Sequence, residues 1–180
     1  MKKLLTNNKG YTVVELLAVV SILVIISGII SSILYSTLRG SNKVKVTTEV
    51  TQNGTYAMSI ITKTINDSRN VTQVDGVDID DCTASPSGKS ITFQRLDGST
   101  TTFSCSAGDI ASNSASIINT NTVQVDDASC IFTCYQKADD LYALPVIGVN
   151  FKIEDKNATA EESQGSANFE NSIALRNYRP

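Results

Sequence analysis

The chain has 180 residues, with 18 acidic and 15 basic side chains, a formal net charge of −3 and no histidine. An acidic balance excludes a general nucleic-acid surface, which needs excess Lys and Arg. The missing histidine removes the commonest general base and the commonest metal ligand; with no phosphate-binding glycine loop and no paired-carboxylate motif either, no enzyme, cofactor or metal site is expected.

Residues 1–10 form a short polar leader carrying Lys2, Lys3 and Lys9. Residues 16–38 then hold no charge and no proline, a run long enough to cross a hydrocarbon core of roughly 30 Å as a helix. A secretory signal would have an apolar stretch of about 7–15 residues and then a small-x-small cleavage site. Here the run is longer, and Ser27-Gly28-Ile29 and Ser31-Ser32-Ile33 are poor cleavage sites. A plain single-pass anchor accounts for the length but gives no purpose to Glu15, the lone carboxylate at the head of the run. A carboxylate at a membrane segment is costly and by default marks a functional site with a partner.

The string Gly10-Tyr11-Thr12-Val13-Val14-Glu15-Leu16-Leu17 resembles the class III leader of type IV prepilins and type II secretion pseudopilins. Residues 16–29 hold only the small and apolar types that family uses. Tyr11 stands where Phe is commoner, and Val13 where Leu or Thr is usual. The resemblance implies that a prepilin peptidase cuts between Gly10 and Tyr11 and methylates the new N-terminus, with Tyr11 as the first mature residue. Losing the three leader lysines makes the chain more acidic still. Glu15 then matches the family's assembly glutamate. The new α-amine is mostly protonated at neutral pH. Within one chain Glu15 lies one helical turn from it, and a carboxylate suits a helix N-terminus. In a bundle of packed helices, Glu15 of one subunit instead neutralises the amine of its neighbour. An unpaired charge there costs several kcal/mol, so the pair acts as a register check; the resemblance favours this intersubunit pairing.

Arg39, Lys43 and Lys45 follow the apolar run and nearly balance the leader lysines, so the positive-inside signal is weak. Val46, Val50, Gly54, Ala57, Ile61 and Ile65 recur at helical spacing and define one face of an amphipathic helix. Thr48, Glu49, Gln52, Thr55 and Lys63 lie on the other. Gly54 on the apolar face would let a sheet approach closely, at a propensity cost of about 1 kcal/mol. Residues 11–38 are expected as a transmembrane or filament-core helix and residues 39–70 as its amphipathic continuation into a globular domain. Unbroken, it would be about 80 Å long; the alternative is a break near Gly40-Ser41-Asn42. Residues 71–74 suggest a short strand. Residues 75–86, with Asp75, Asp78, Asp80 and Asp81, lack EF-hand spacing and read as a solvated acidic loop.

Residues 90–96 and 99–105 alternate around Asp97-Gly98, a strong hairpin signal. A two-residue turn with Leu96 opposite Ser99 would leave Phe93 and Phe103 diagonal or on opposite faces. Residues 112–116 read as a loop. Ile117-Ile118 and residues 123–125 suggest a second, weaker hairpin across 119–122. Residues 130–134 read as a strand with Cys130, Phe132 and Cys134 on one face. Residues 137–144 read as a loop, 146–153 as a strand after Pro145, 157–166 as a polar mobile stretch, and 169–175 as the closing strand. Cys82, Cys105, Cys130 and Cys134 all follow the apolar run, and an even count on an exported side reads as two disulfides. On a straight strand Cys130 and Cys134 would sit about 13 Å apart, beyond the roughly 7 Å limit for a bridge. Unless the chain bends there, each pairs with Cys82 or Cys105, and either assignment stays open.

The expected fold is α+β: a long N-terminal helix, apolar then amphipathic, packed on a mainly antiparallel sheet formed by a β-rich globular domain over residues 71–180. This order, with its closing Phe-x3-Ile-x-Leu-Arg-Asn segment, also resembles minor pilins and J-type pseudopilins. The resemblance implies a type IV pilin-like fold and a structural role in a type IV pilus or a related secretion or DNA-uptake filament. The absence of proline over residues 11–38, where many major pilins carry one near Ser32, points to a minor subunit. Implied partners are other pilin or pseudopilin subunits, the prepilin peptidase, the inner-membrane assembly platform and the membrane itself. The chain would wait single-pass in the cytoplasmic membrane with its C-terminal domain exported, then enter a cell-surface or periplasmic filament. The alternative is a membrane-anchored exported binding or adhesion domain that is never assembled.

Overall fold

The computed structural model describes residues 10–138, 140, 143–157 and 165–178. The leader residues 1–9, most of the polar stretch 157–166 and part of the 137–144 loop lie outside the described residues. One helix, α1 (Val13–Asn66), runs through Gly40-Ser41-Asn42 without the break that those residues suggested. Two compact units divide between Asn42 and Lys43. Among the described residues up to Asn42, the first unit is helix from Val13 on, and every residue is exposed.

The second unit holds the rest of α1 and strands β1 (Ser68–Val74), β2 (Val77–Asp78), β3 (Ser87–Gly88), β4 (Ser90–Arg95), β5 (Thr100–Ser106), β6 (Asp109–Ser112), β7 (Ala115–Ser116), β8 (Val123–Val125), β9 (Ile131–Tyr135), β10 (Val146–Asp155) and β11 (Ser166–Ala174). They make two antiparallel sheets, ordered β2-β1-β4-β5-β6-β7 and β11-β10-β9-β3, with β8 also pairing β10. A long N-terminal helix packed on antiparallel sheets is the α+β arrangement that the sequence predicts.

The amphipathic half of α1 buries Val50, Gly54, Ala57, Ile61 and Ile65, the face its periodicity marks. Full burial of Ile61 and Ile65 stabilises the unit by about 1.5–3 kcal/mol each. Gly54 is required by close approach: a Cβ there would overlap the ring of Phe169 on β11. The helix stops at Asn66 because its last carbonyls find other donors. Ser68 Oγ donates to Thr64 C=O at 2.6 Å, and Asn177 Nδ2 to Asn66 C=O at 2.7 Å. Buried Phe93, Phe103, Phe132 and Phe151 fill the interior with Ile91, Ile110, Ile147 and Ile153.

Several local expectations change. The first strand begins at Ser68, earlier than residue 71. The Asp75–Gly76 step inside the expected acidic loop is a tight turn with φ of 54° and 78°, closing β1 onto β2 with Val74 opposite Val77. The Asp97-Gly98 hairpin is one residue out of the expected register. Arg95 N–H donates to Ser99 C=O at 2.8 Å, leaving Leu96, Asp97 and Gly98 as a three-residue loop in which Gly98 takes φ 85°. Ile91 therefore faces Phe103 and Phe93 faces Thr101, which puts both Phe rings on one face, 6.3 Å apart edge-on. The expected loop at 112–116 is part of a β6–β7 hairpin turning at Asn113 and Ser114, both at positive φ. No hairpin joins 117–118 to 123–125. Instead Val123 and Val125 pair with β10, while Asn119 N–H donates to Asn53 Oδ1 on α1 at 2.8 Å.

Candidate functional site

At the N-terminal end of the described chain, Gly10 and Tyr11 precede the helix and are exposed, Tyr11 by 85%. The helix starts at Val13 because Thr12 caps it: Glu15 N–H donates to Thr12 Oγ1 at 3.2 Å, and Leu16 N–H to Thr12 C=O at 3.1 Å. Thr12-x-x-Glu15 is half of a capping box, a helix-start signal carried by the same residues as the leader motif. The Glu15 carboxylate is exposed and has no ion pair among the described residues. It stands in the first turn, where the helix dipole favours a negative charge.

Beyond Glu15 the helix is long and apolar enough to cross a membrane, and none of its most apolar stretch is buried within the chain. Four of its hydroxyls bond to the helix backbone. Ser21 Oγ donates to Leu17 C=O, Ser31 Oγ to Ser27 C=O and Thr37 Oγ1 to Ile33 C=O, each at 2.8 Å. Ser32 Oγ donates to Ile29 C=O at 2.9 Å. Hydroxyls satisfied in this way can leave water cheaply. In the second unit the outer face of α1 continues weakly polar, with Val44, Thr48, Thr51, Thr55, Tyr56 and Ser59 along an open groove of about 770 Å³.

The four cysteines form two bridges, Cys82–Cys134 and Cys105–Cys130, with Cα separations of 5.3 and 6.2 Å. Cys130 and Cys134, buried on one face of the β9 run, go to different partners, as a straight strand requires. Cys105–Cys130 ties β5 of one sheet to the start of β9 in the other. Cys82–Cys134 pins the crossing between the sheets, helped by a residue with no sequence signal: Gln136, buried, accepts from Cys82 N–H at 3.4 Å and donates Nε2 to Ala143 C=O at 2.9 Å.

Asp75, Asp78 and Asp81 accept hydrogen bonds from their surroundings. Asp75 accepts from Lys89 N–H at 3.2 Å, Asp78 from Gln73 Nε2 at 2.8 Å, and Asp81 from the Thr83 hydroxyl and amide at 2.7 and 2.9 Å. The Thr83 hydroxyl, then its amide, hold the Asp81 carboxyl below its ordinary value. No family model, curated protein or solved structure matches the chain. The residues are thus brought together in two places, the capped start of an unburied apolar helix and a disulfide-tied β domain.

Proposed function

We propose that the chain is a structural, minor-type subunit of a type IV pilus or related pseudopilus, cut after Gly10 and assembled through its N-terminal helix. One observation carries this reading: among the described residues, an apolar helix without cover is headed by a carboxylate without an ion pair. A helix of this kind needs both an apolar environment and a cation at its start. A neighbour's Tyr11 amine supplies the cation, and neighbouring helices supply the environment. Before assembly the chain stands single-pass in the cytoplasmic membrane with its β domain exported, where an oxidising compartment suits two disulfides. Its partners are the prepilin peptidase, the assembly platform and other subunits, and no residue is assigned a catalytic role.

The capping geometry favours a second reading. Thr12 and Glu15 together open a helix without any neighbour, which is all that a plain anchor for an exported binding domain requires. Intact mass and N-terminal sequencing of protein from its native cell, with and without the prepilin peptidase, test the first reading. A peptidase-dependent start at Tyr11 is expected; an uncut Met1 or a cut beyond residue 25 sinks it. Glu15→Ala then separates the two. A filament subunit carrying it fails to enter filaments while still being cut, whereas a plain anchor is indifferent.

A further inference from the structure

Among the described residues, strand β11 is the end strand of its sheet and pairs with β10 alone. Leu175 N–H donates to Pro145 C=O at 2.8 Å, and Asp155 N–H to Gly165 C=O at 2.9 Å. The odd-numbered residues of β11 therefore aim their backbone groups at β10, and Ser166, Asn168, Glu170 and Ser172 aim theirs outward. Asn171 Oδ1 accepts the Ser172 N–H at 2.9 Å. Among the described residues the outward groups of Asn168 and Glu170 have no partner. Long edges are usually blunted by Lys, Pro, a bulge or a covering element. This one holds no Lys and no Pro, and its register with β10 is unbroken from Ser166 to Ala174.

Beside the edge runs a groove of about 540 Å³, lined by Thr55, Met58, Thr62, Lys63 and Phe169 among its residues. It takes Phe169 from β11 and nothing from β10, so it follows the outer side of β11 beneath α1. Side chains on one face of a strand added to β11 would fall into it. The Lys63 ammonium at its rim has no ion pair among the described residues.

We infer that this edge receives an extended segment of a partner polypeptide as an added strand. Main-chain hydrogen bonds to Asn168 and Glu170 hold it, alternate aliphatic side chains fill the groove, and a carboxylate meets Lys63. A second copy's β11 is a poorer match: it would offer Ala167, Phe169, Asn171 and Ile173 on that face and no acid to meet Lys63. Neither edge nor groove involves the segment from Gly10 to Glu15, so this surface and the filament reading stand or fall separately.

The full chain in detergent micelles would be mixed with a synthetic nine-residue peptide, matched to β11 in length, of alternating Val and Thr with one Val replaced by Glu. Amide hydrogen exchange is the readout. The Asn168 and Glu170 amides should slow by about tenfold or more, and less with a Lys-for-Glu peptide. Asn168→Pro removes an N–H that β10 does not use and should abolish the protection. Lys63→Glu leaves the backbone untouched and should reverse the preference between the two peptides. Unchanged exchange with both peptides, or a dimer that protects the same amides without peptide, overturns the inference.

Discussion

In the helix before Asn42, Ile22 and Ile26 expose 57% and 46% of their surface; in the domain after it, Ile61, Ile91 and Ile147 expose 0%. The same residue type is thus used for two ends. Among its described residues the first unit leaves its apolar surface exposed, and four of its hydroxyls are bonded to its own backbone. The second unit closes its core within the chain and adds two covalent ties between its sheets. One region leaves its apolar surface open, and the other closes its core and ties it covalently. This contrast can be tested by perturbations that should touch one region and spare the other.

The largest expected effect is loss of the bridges. Replacing a cysteine pair by serines should cost the β domain about 2–5 kcal/mol. Cys82–Cys134 spans 52 residues and Cys105–Cys130 spans 25, so chain entropy makes the first dearer by about 0.6 kcal/mol. Urea unfolding of the full chain in detergent, followed by near-ultraviolet circular dichroism, measures both. The helical signal of the first unit should persist through reduction. Equal stability with and without reductant would mean that the sheets hold without ties, and the contrast would lose its covalent half.

Next comes the contact between α1 and β11. Gly54→Ala gains about 1 kcal/mol of helix propensity but drives a methyl into the Phe169 ring, and such overpacking costs about 1–3 kcal/mol. The net expectation is a loss of about 1 kcal/mol, on balance of those two ranges. Pairing it with Phe169→Ala should give a clearly non-additive cycle, since the second change removes the obstacle. An additive cycle would show that the helix has room to shift off the sheet.

The order of regions was legible because it rests on long-period signals. The apolar run, the buried stripe from Val50 to Ile65, and the close approach at Gly54 all follow from spacing along one helix. What spacing along the chain does not show depends on pairing between distant segments. Asp97-Gly98 looks like a two-residue turn, yet hydrogen bonding from Arg95 to Ser99 makes a three-residue loop and moves the register by one. Asp75-Gly76 carries the same signal inside an acid-rich stretch and does make the two-residue turn. Val123 and Val125 look local to Ile118 but serve β10, because Asn53 on the helix holds the intervening segment by Asn119. Disulfide pairing needed the same long-range information. At the site, Thr12-x-x-Glu15 is a local capping signal that overlaps the leader motif and the lone carboxylate.

Thr12→Ala sharpens the contrast from the other side. Loss of the cap should cost about 1 kcal/mol of local helix stability, seen as faster amide exchange over the first turn of α1 in micelles. Urea unfolding of the β domain should be unchanged. If exchange in the first turn is unaffected, the helix is held by its apolar surroundings alone and the cap adds nothing.

The smallest effect is acid sensitivity, which should reside in the β domain. The Ser99 hydroxyl, and then its amide, hold the Asp97 carboxyl below its ordinary value of 3.8, at 2.6 and 2.9 Å; Thr83 does the same for Asp81. A carboxyl with a lower value folded than unfolded contributes stability that is present above 3.8 and lost as pH falls through the folded value. The domain should therefore weaken below about pH 4 and show no such slope above it. Asp97→Asn keeps an acceptor oxygen for Ser99 and still suits a turn before Gly98, so it should leave neutral-pH stability nearly unchanged while flattening the acid limb. Asp81→Asn should act likewise and additively, because the two turns share no partner. An acid limb that survives both substitutions would place the sensitivity in carboxylates other than these two turns.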